Sequence, residues 1–587
     1  MKKKELALVL FSEKLPRRPK SWWQSFRVVI APKGLESQIE GKGIKFFYLE
    51  EFVEPGSIYE ASAFAEELSL LDLLDGTRLT KSFLYGGYEL WWIHYDSLFQ
   101  YFCLPYTQYK KLLKYLKNFQ SIYFYRPPYK SLFFCYLQTY GCGTKIIHDR
   151  RLKSPASFPF GVSLQILITI FSLPFLIIKK SPVMVFTGDK FEKNKDFDFR
   201  MRFIYEELCQ RNIAFVEFIR SLESWKAVLQ HAFVRWRPVI YPEGITFVGR
   251  FVSFLSGGRR RTEKKFGPHI FDTEIDLDRR FKLIVATQYL RTVYDDVWAI
   301  RITKWVLHVI GVRSVFIAAA VERNFHAVLG CKLNKIPMVG ILHGVASRYY
   351  NVYEFTPGFD GKKSLSVDRY GVWSEWWREY FIQNSKAYVA EQLFVSGPMR
   401  PLSEDEHHKV VSRRSSGDII NVLFVSEEVA VPREVLPYLN NLLGQKNINL
   451  TLKFRPYRDG FENWLLKNEP NLLRCDSLKV VKGNMQEAIK DCDVVVGSYS
   501  TAVLEAVTQL KVPIFFNTQK WGDYYSLKDY DDSHSFFAES PQDLVGKINN
   551  SWSIQSGTLK DLQKRYFGDP YKNGSKWVVD ELEKNIK

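Results

Sequence analysis

Two stretches lying about 150 residues apart, Ile336 to Gly344 (IPMVGILHG) and Cys492 to Val507 (CDVVVGSYSTAVLEAV), constrain this chain more than any other feature. Each is a short apolar, β-branched run that stops at a glycine-containing turn, which is how parallel-sheet α/β domains place a ligand at the carboxyl ends of their strands. Two such junctions predict two facing domains. In the second, Gly497-Ser498-Tyr499-Ser500-Thr501 precedes a helical pattern over 501–510. Backbone N–H groups and hydroxyls converge there, where a helix dipole favours an anion, and a phosphate is the natural guest.

The alternation of strand and helix patterns supports this class. Strands are expected in MKKKELALVLF, then at 26–32, 45–52, 121–126, 145–149, 183–188, 213–219, 314–320 and 338–344, with helical patterns between several of them. After a Pro-, Gly- and Ser-rich charged stretch at 395–418, a second series runs through 421–426, 450–456, 478–482, 493–498 and 512–517. The expected organisation is an amino-terminal Rossmann-like acceptor domain over 1–400, a linker at 401–418 and a nucleotide-donor domain over 419–587. At 587 residues, 46% hydrophobic and 25% charged, the chain is long enough for two or three cores and is not of disordered composition. Seven widely spread cysteines carry no metal-type spacing and suit a reducing cytoplasm. The amino terminus lacks the pattern of a signal peptide.

A net charge of +18 implies attraction to anions, whether nucleic acid, acidic membrane or phosphorylated substrate. The basic run GGRRRTEKK at 257–265 reads as a solvated loop, the alternative being a stretch that meets phosphate groups, and no nucleic-acid module accompanies it, so nucleic acid is not an expected partner. Phe158 to Ile178 runs 21 residues without a charge between basic flanks. Three readings are open: a helix buried between strands, a helix lying on a membrane face, or a span. Against a span, VMVFTGD at 183–189 reads as belonging to the same sheet as KIIHD at 145–149. The aromatic stretch 83–106, with Trp91, Trp92, Tyr95, Phe99, Tyr101 and Phe102, is expected to leave some rings to solvent, ligand or lipid, the alternative being a buried helix.

GILHGVASRYYN, DRYGVWSEWWREYF and AEQLFVSGPMRP, between Gly340 and Pro401, resemble the strand, loop and interdomain segment of GT-B-fold enzymes of bacterial surface-carbohydrate synthesis. DCDVVVGSYSTAVLEAVTQLKVPIFFN resembles their donor-nucleotide segment. Similar patterns occur in capsular polysaccharide transferases, teichoic acid glycerophosphotransferases and nonhydrolysing sugar-nucleotide epimerases, and the resemblance covers roughly residues 311–530. It implies an α/β, GT-B-like fold of two facing Rossmann-like domains and a metal-independent glycosyltransferase. The alternatives are a sugar-nucleotide epimerase, a glycerophosphotransferase-like enzyme, or a noncatalytic carbohydrate- or membrane-binding scaffold of the same fold.

Within that resemblance, Gly497, Ser498, Ser500 and Thr501 are candidates for the donor phosphates, and Glu505 for the ribose hydroxyls. Lys453 and Arg455 end another strand where phosphate charge needs neutralising. Arg455 stands where the glycerophosphotransferase pattern has histidine, which weakens a two-histidine mechanism. His343 is the candidate general base, with Glu322 as a second catalytic candidate, and Arg323, His326 and Gly344 are candidates for the same cleft. Asp531-Asp532 lies in a loop of other character and no DxD pair ends a strand, so neither metal nor other cofactor is expected. The expected partners are a nucleotide-sugar donor, a glycan or lipid-linked acceptor and, as a candidate, an acidic membrane surface. The expected place is the cytoplasm, peripheral to the inner face of the cell membrane.

Overall fold

The computed structural model describes residues 5–12, 14–39, 44–54, 56, 58–148, 158–188, 201–220, 225–229, 238–317, 325–342, 344, 353–400, 419–427, 431–455, 460–483, 485–519 and 521–586. Three parallel sheets organise them. Leu6–Leu10 (β1), Val28–Ala31 (β2), Lys45–Tyr48 (β3), Ser121–Tyr125 (β4) and Gly143–Ile147 (β5) form the first, in the order β3-β2-β1-β4-β5. The second contains Val183–Gly188 (β6), Phe215–Arg220 (β7), Val239–Ile240 (β8), Ser314–Ile317 (β9), Met338–Ile341 (β10), Arg369–Val372 (β11) and Leu393–Val395 (β12). Its order is β8-β7-β6-β9-β10-β11-β12, again all parallel. Ile420–Val425 (β13), Ile448–Lys453 (β14), Leu478–Val481 (β15), Val494–Gly497 (β16), Val512–Phe516 (β17) and Phe537–Ala538 (β18) form the third, ordered β15-β14-β13-β16-β17-β18.

Each sheet places its first strand between its second and fourth, the doubly wound order in which the connections leave in opposite directions and open a crevice at the strand ends. β13 and β16 are buried along their lengths except for Asn421, because helices cover both faces, and this is why they read as nearly continuous apolar runs. Among the described residues, the segment expected as one amino-terminal domain thus holds two separate parallel sheets. β5 (KIIHD) and β6 (VMVFTG) belong to different sheets, which corrects the expectation that they share one. An apolar run predicts a buried strand but not which neighbours it pairs with.

The second and third sheets are tied together by a final helix that returns to the earlier unit. Gly574–Glu583 ends the chain on the second unit, where Arg211 pairs with Asp580 at 2.6 Å and Glu583 at 3.0 Å, and Arg369 with buried Glu581 at 2.7 Å. It passes the outgoing crossover so closely that a Cβ on Gly574 would lie 2.5 Å from the Gly397 carbonyl oxygen and 2.8 Å from that of Pro398. Only glycine admits that backbone approach. The linker expected at 401–418 lies outside the described residues.

Of the two readings of the aromatic stretch, the buried helix describes most of it: Trp91, Trp92, Tyr95, Phe99 and Phe102 are buried, and Tyr101 of the six rings meets solvent. Trp91 donates to Ser69 Oγ, Trp92 to Glu89, and the Tyr95 hydroxyl to the Pro357 carbonyl, so the polar tips are satisfied where first and second units meet. The Trp91–Leu98 helix is buried on every face, with only Asp96 half-buried, so its polar residues His94 and Asp96 take partners inside the protein, Asp296 for the first and Gln100 and Thr356 for the second. The basic run at 257–265 is not a loop; it begins the Gly258–Phe271 helix after Gly257, whose φ of 72° ends the preceding helix.

Candidate functional site

The crevice of the third unit lies between the ends of β13 and β16. β13 leads into Ser426 and Glu427, and β16 into the turn Gly497 to Thr501. Glu427 is completely buried, and its Oε1 accepts the backbone N–H of Ser498. A Cβ on Gly497 would sit 2.6 Å from that oxygen and 2.6 Å from Val503 Cγ2, so the glycine makes the contact between the two lips sterically possible. Burial pushes the Glu427 carboxyl up to about 8, against the opposing pull of the Ser498 and Tyr499 N–H groups and the Arg455 guanidinium. Burial thus favours the neutral, protonated form of this carboxyl at the crevice floor.

The turn itself is rigid. Ser500 caps the helical segment, accepting from Ala502 N–H. Tyr499 stacks on Trp521 with ring centroids 4.4 Å apart, and its carbonyl accepts the Tyr525 hydroxyl at 2.9 Å. The helix expected over 501–510 is one α-turn, Thr501–Leu504, continued as a 3₁₀ stretch, Glu505–Gln509. So short an α-segment carries less dipole than expected, and the local hydroxyls and cationic side chains weigh more in any anion site.

Glu505 lies one turn beyond Thr501, where its Oε2 accepts from Gln486 Nε2 at 2.8 Å, and Gln486 is in turn held by Gln509. Burial raises its pKa while the Arg400 charge and the Gln486 bond lower it. Arg400 comes from the crossover leaving the second unit, so this carboxylate stands where the two units meet.

Lys453 is placed differently from the expectation. Its buried ammonium donates to the carbonyls of Phe454 at 2.8 Å and Gly483 at 2.9 Å, fastening the end of β14 to the loop after β15, and burial lowers its pKa, with Lys482 adding to the effect. In the structure it acts as a staple between strand end and loop. Arg455, two residues on, is the cation whose charge reaches Glu427. Asp531 accepts from Ser533 and from Ser535 N–H, closing its own loop.

Across from the turn stands the end of β10 in the second unit. A Cβ on Gly344 would lie 3.9 Å from Thr501 Oγ1, so the two glycine-bearing junctions seen in the sequence do face each other. His343, Glu322 and Arg323 lie outside the described residues. His326 opens the Phe325–Leu333 helix, where its Nε2 meets Asp296 Oδ1 at 2.7 Å while His94 Nε2 meets Asp296 Oδ2 at 2.8 Å. Burial alone would raise the Asp296 carboxyl, but the two imidazoles outweigh it and hold the group well below the usual carboxylate range. His326 is thus anchored, and through His94 it joins the first unit to the second.

Sequence reasoning missed Glu427, Arg400 and Gln486. Glu427 had a signal: it is the first acidic residue after the apolar run NVLFVS, and the first strand of a doubly wound unit always borders the crevice. Arg400 and Gln486 had none, being brought in by the crossover and by side-chain pairing.

No family model matches the sequence, and no curated protein matches it. Among solved structures, the UDP-GlcNAc 2-epimerase of Neisseria meningitidis bound to UDP-GlcNAc aligns over 69% of this chain and 100% of its own, with 12% identity and a TM-score of 0.38. The Methanocaldococcus jannaschii UDP-GlcNAc 2-epimerase in complex with UDP-GlcNAc and UDP aligns over 68% and 99%, with 10% identity and a TM-score of 0.40. Anabaena HepE in complex with UDP and glucose aligns over 68% and 99%, with 12% identity and a TM-score of 0.36. Similarity at this level does not tell what the present chain binds, and the architecture rests on its own strand order.

Proposed function

We propose that this protein is an enzyme acting on a nucleotide-activated sugar, with the nucleotide held at the crevice of the third sheet and the sugar directed toward the end of β10. The observation that supports this most is the meeting of Gly344 with Thr501, which brings a doubly wound crevice and the turn of a second unit to one cleft. Ser500, Thr501 and Arg455 would take the diphosphate, with hydroxyl donors and a fork-shaped cation suited to phosphate oxygens. Glu505 would accept from the ribose hydroxyls, exchanging its Gln486 bond for them. A protonated Glu427 leaves the crevice floor neutral for the anion.

The finer reading is transfer of the sugar to a surface polysaccharide or lipid-linked acceptor. The first unit supports it, since a complete extra parallel sheet joined to the second unit through His94 and Asp296 supplies surface that a single-substrate reaction does not need. His343, next to Gly344, would act as general base toward the acceptor hydroxyl; alanine there should lower turnover by about 100-fold to 10,000-fold. Epimerisation is the second reading, favoured by Glu427 as a carboxyl that exchanges its proton near neutral pH beside the nucleotide turn.

Incubation with UDP-N-acetylglucosamine in D₂O separates the two. Epimerisation returns intact nucleotide sugar carrying deuterium on the sugar ring, whereas transfer consumes the donor only when acceptor is added and releases nucleotide. If the protein shows no calorimetric binding of any nucleotide or nucleotide sugar, both readings fail.

A further inference from the structure

The Phe158–Lys179 helix is amphipathic the wrong way round for a protein surrounded by water. Its polar residues Gln165, Thr169 and Ser172 are buried, and they share one stripe with buried Ile168 and Leu176. Thr169 Oγ1 accepts the backbone N–H of Tyr241 at 3.1 Å, and Ser172 Oγ that of Val239 at 3.4 Å, so the polar stripe satisfies the edge strand β8. The opposite stripe carries Ile170, Phe171, Phe175 and Ile178, exposed to 54%, 74%, 52% and 85%.

A second helix continues this surface. Pro242–Leu255 packs beside the first at Gly244, where a Cβ would lie 3.3–3.5 Å from Ile166. It buries Ile245, Gly249 and Ser253 and turns Phe251, Phe254 and Leu255 outward at 57%, 71% and 68% exposure. A short helix, Trp225–Leu229, also packs against the first and presents Trp225 and Lys226. Over 158–180 and 244–262 there is no acidic residue, while Lys179, Lys180, Arg250, Arg259, Arg260 and Arg261 are all present and exposed.

We propose that these two helices form a monotopic docking face for an anionic lipid bilayer, the aromatic and aliphatic side chains entering the headgroup and acyl boundary and the basic residues meeting acidic headgroups. Apolar burial and charge attraction act together at such a face, and the charge contribution weakens with salt. A second copy of the chain fits it less well, because the same basic residues would then face one another. A span is disfavoured by geometry. Only Lys180, Ser181 and Pro182 separate the first helix from β6, and its polar stripe is bonded to the sheet edge, so crossing a bilayer would pull that edge into lipid. The inference goes beyond the nucleotide reading and stands or falls independently of it.

The test is sedimentation of the full chain with vesicles of phosphatidylglycerol and phosphatidylcholine, compared with phosphatidylcholine alone. Binding should be stronger to the acidic vesicles and weaken several-fold between low and high salt. The paired variant Phe171→Asp with Phe254→Asp should lose about tenfold or more of its partition. Both side chains point outward, so the thermal midpoint should hold, and Phe171→Ser with Phe254→Ser serves as a milder version. Failure of the wild type to bind acidic vesicles, unchanged binding by the variants, or dissociation of a solution dimer by them would each overturn the proposal. Retention in vesicles through alkaline carbonate would overturn it in favour of a span.

Discussion

Replacing Glu427 by glutamine should stabilise the protein by an amount that grows with pH. The carboxyl is fully buried and its pKa stands at about 8 in the folded protein against an ordinary 4.5. The native state therefore keeps a proton that the unfolded chain releases, and wild-type stability falls as pH rises from 4.5 to about 8. Each pKa unit corresponds to about 1.4 kcal/mol, so the loss reaches about 5 kcal/mol once the folded group ionises. Glutamine keeps an oxygen to accept the Ser498 N–H and has nothing to titrate. Urea unfolding of both proteins, followed by tryptophan fluorescence, should show similar midpoints near pH 5. The gap in favour of Glu427→Gln should then widen by about 1.4 kcal/mol per pH unit up to pH 8 and flatten above it. A gap that does not change between pH 5.5 and 8 would refute the reasoning, because it would mean the carboxyl is already ionised in the folded crevice.

Ser500→Ala with Thr501→Ala should weaken UDP binding by about 100-fold or more, two hydrogen bonds to a charged group being worth about 1.5–3 kcal/mol each, while the lost Ser500 cap lowers stability by about 1 kcal/mol; equal affinity in calorimetry excludes the turn. Lys453→Met should do the opposite, lowering stability by about 1–3 kcal/mol through the two carbonyls it leaves unpaired while UDP affinity stays the same. A parallel loss of affinity would return Lys453 to the crevice. Asp296→Asn should cost about 3 kcal/mol or more by removing the charge between His94 and His326, read as a drop in thermal midpoint; an unchanged midpoint would show that these imidazoles do not depend on it.

Much of the third unit was legible in the sequence, because β-branched runs ending at glycine mark buried parallel strands, and the crevice turn at Gly497 announces itself by composition. Sheet membership was not. The patterns around β5 and β6 are alike, and only long-range pairing assigns them to separate sheets. Lys453 looked like a phosphate ligand because a cation ending a strand faces either the crevice or the neighbouring loop, and one residue of register decides which. Glu427 and Arg400 depend on contacts between segments 71 and more than 100 residues away, Ser498 for the first and Glu505 for the second, which no local pattern encodes. The Phe158 helix shows the converse case. Its apolar length was plain, but its inverted polarity became visible only when β8 was seen bonded to Thr169 and Ser172.

Hydrogen exchange of the full chain with and without UDP or a UDP-sugar tests the central claim most directly. Nucleotide at the crevice should slow exchange of the amides from Gly497 to Glu505, and of Gly344 across the cleft, while the first sheet exchanges as before. Binding that leaves the Gly497 to Glu505 amides unprotected, or no binding at all, would contradict the account.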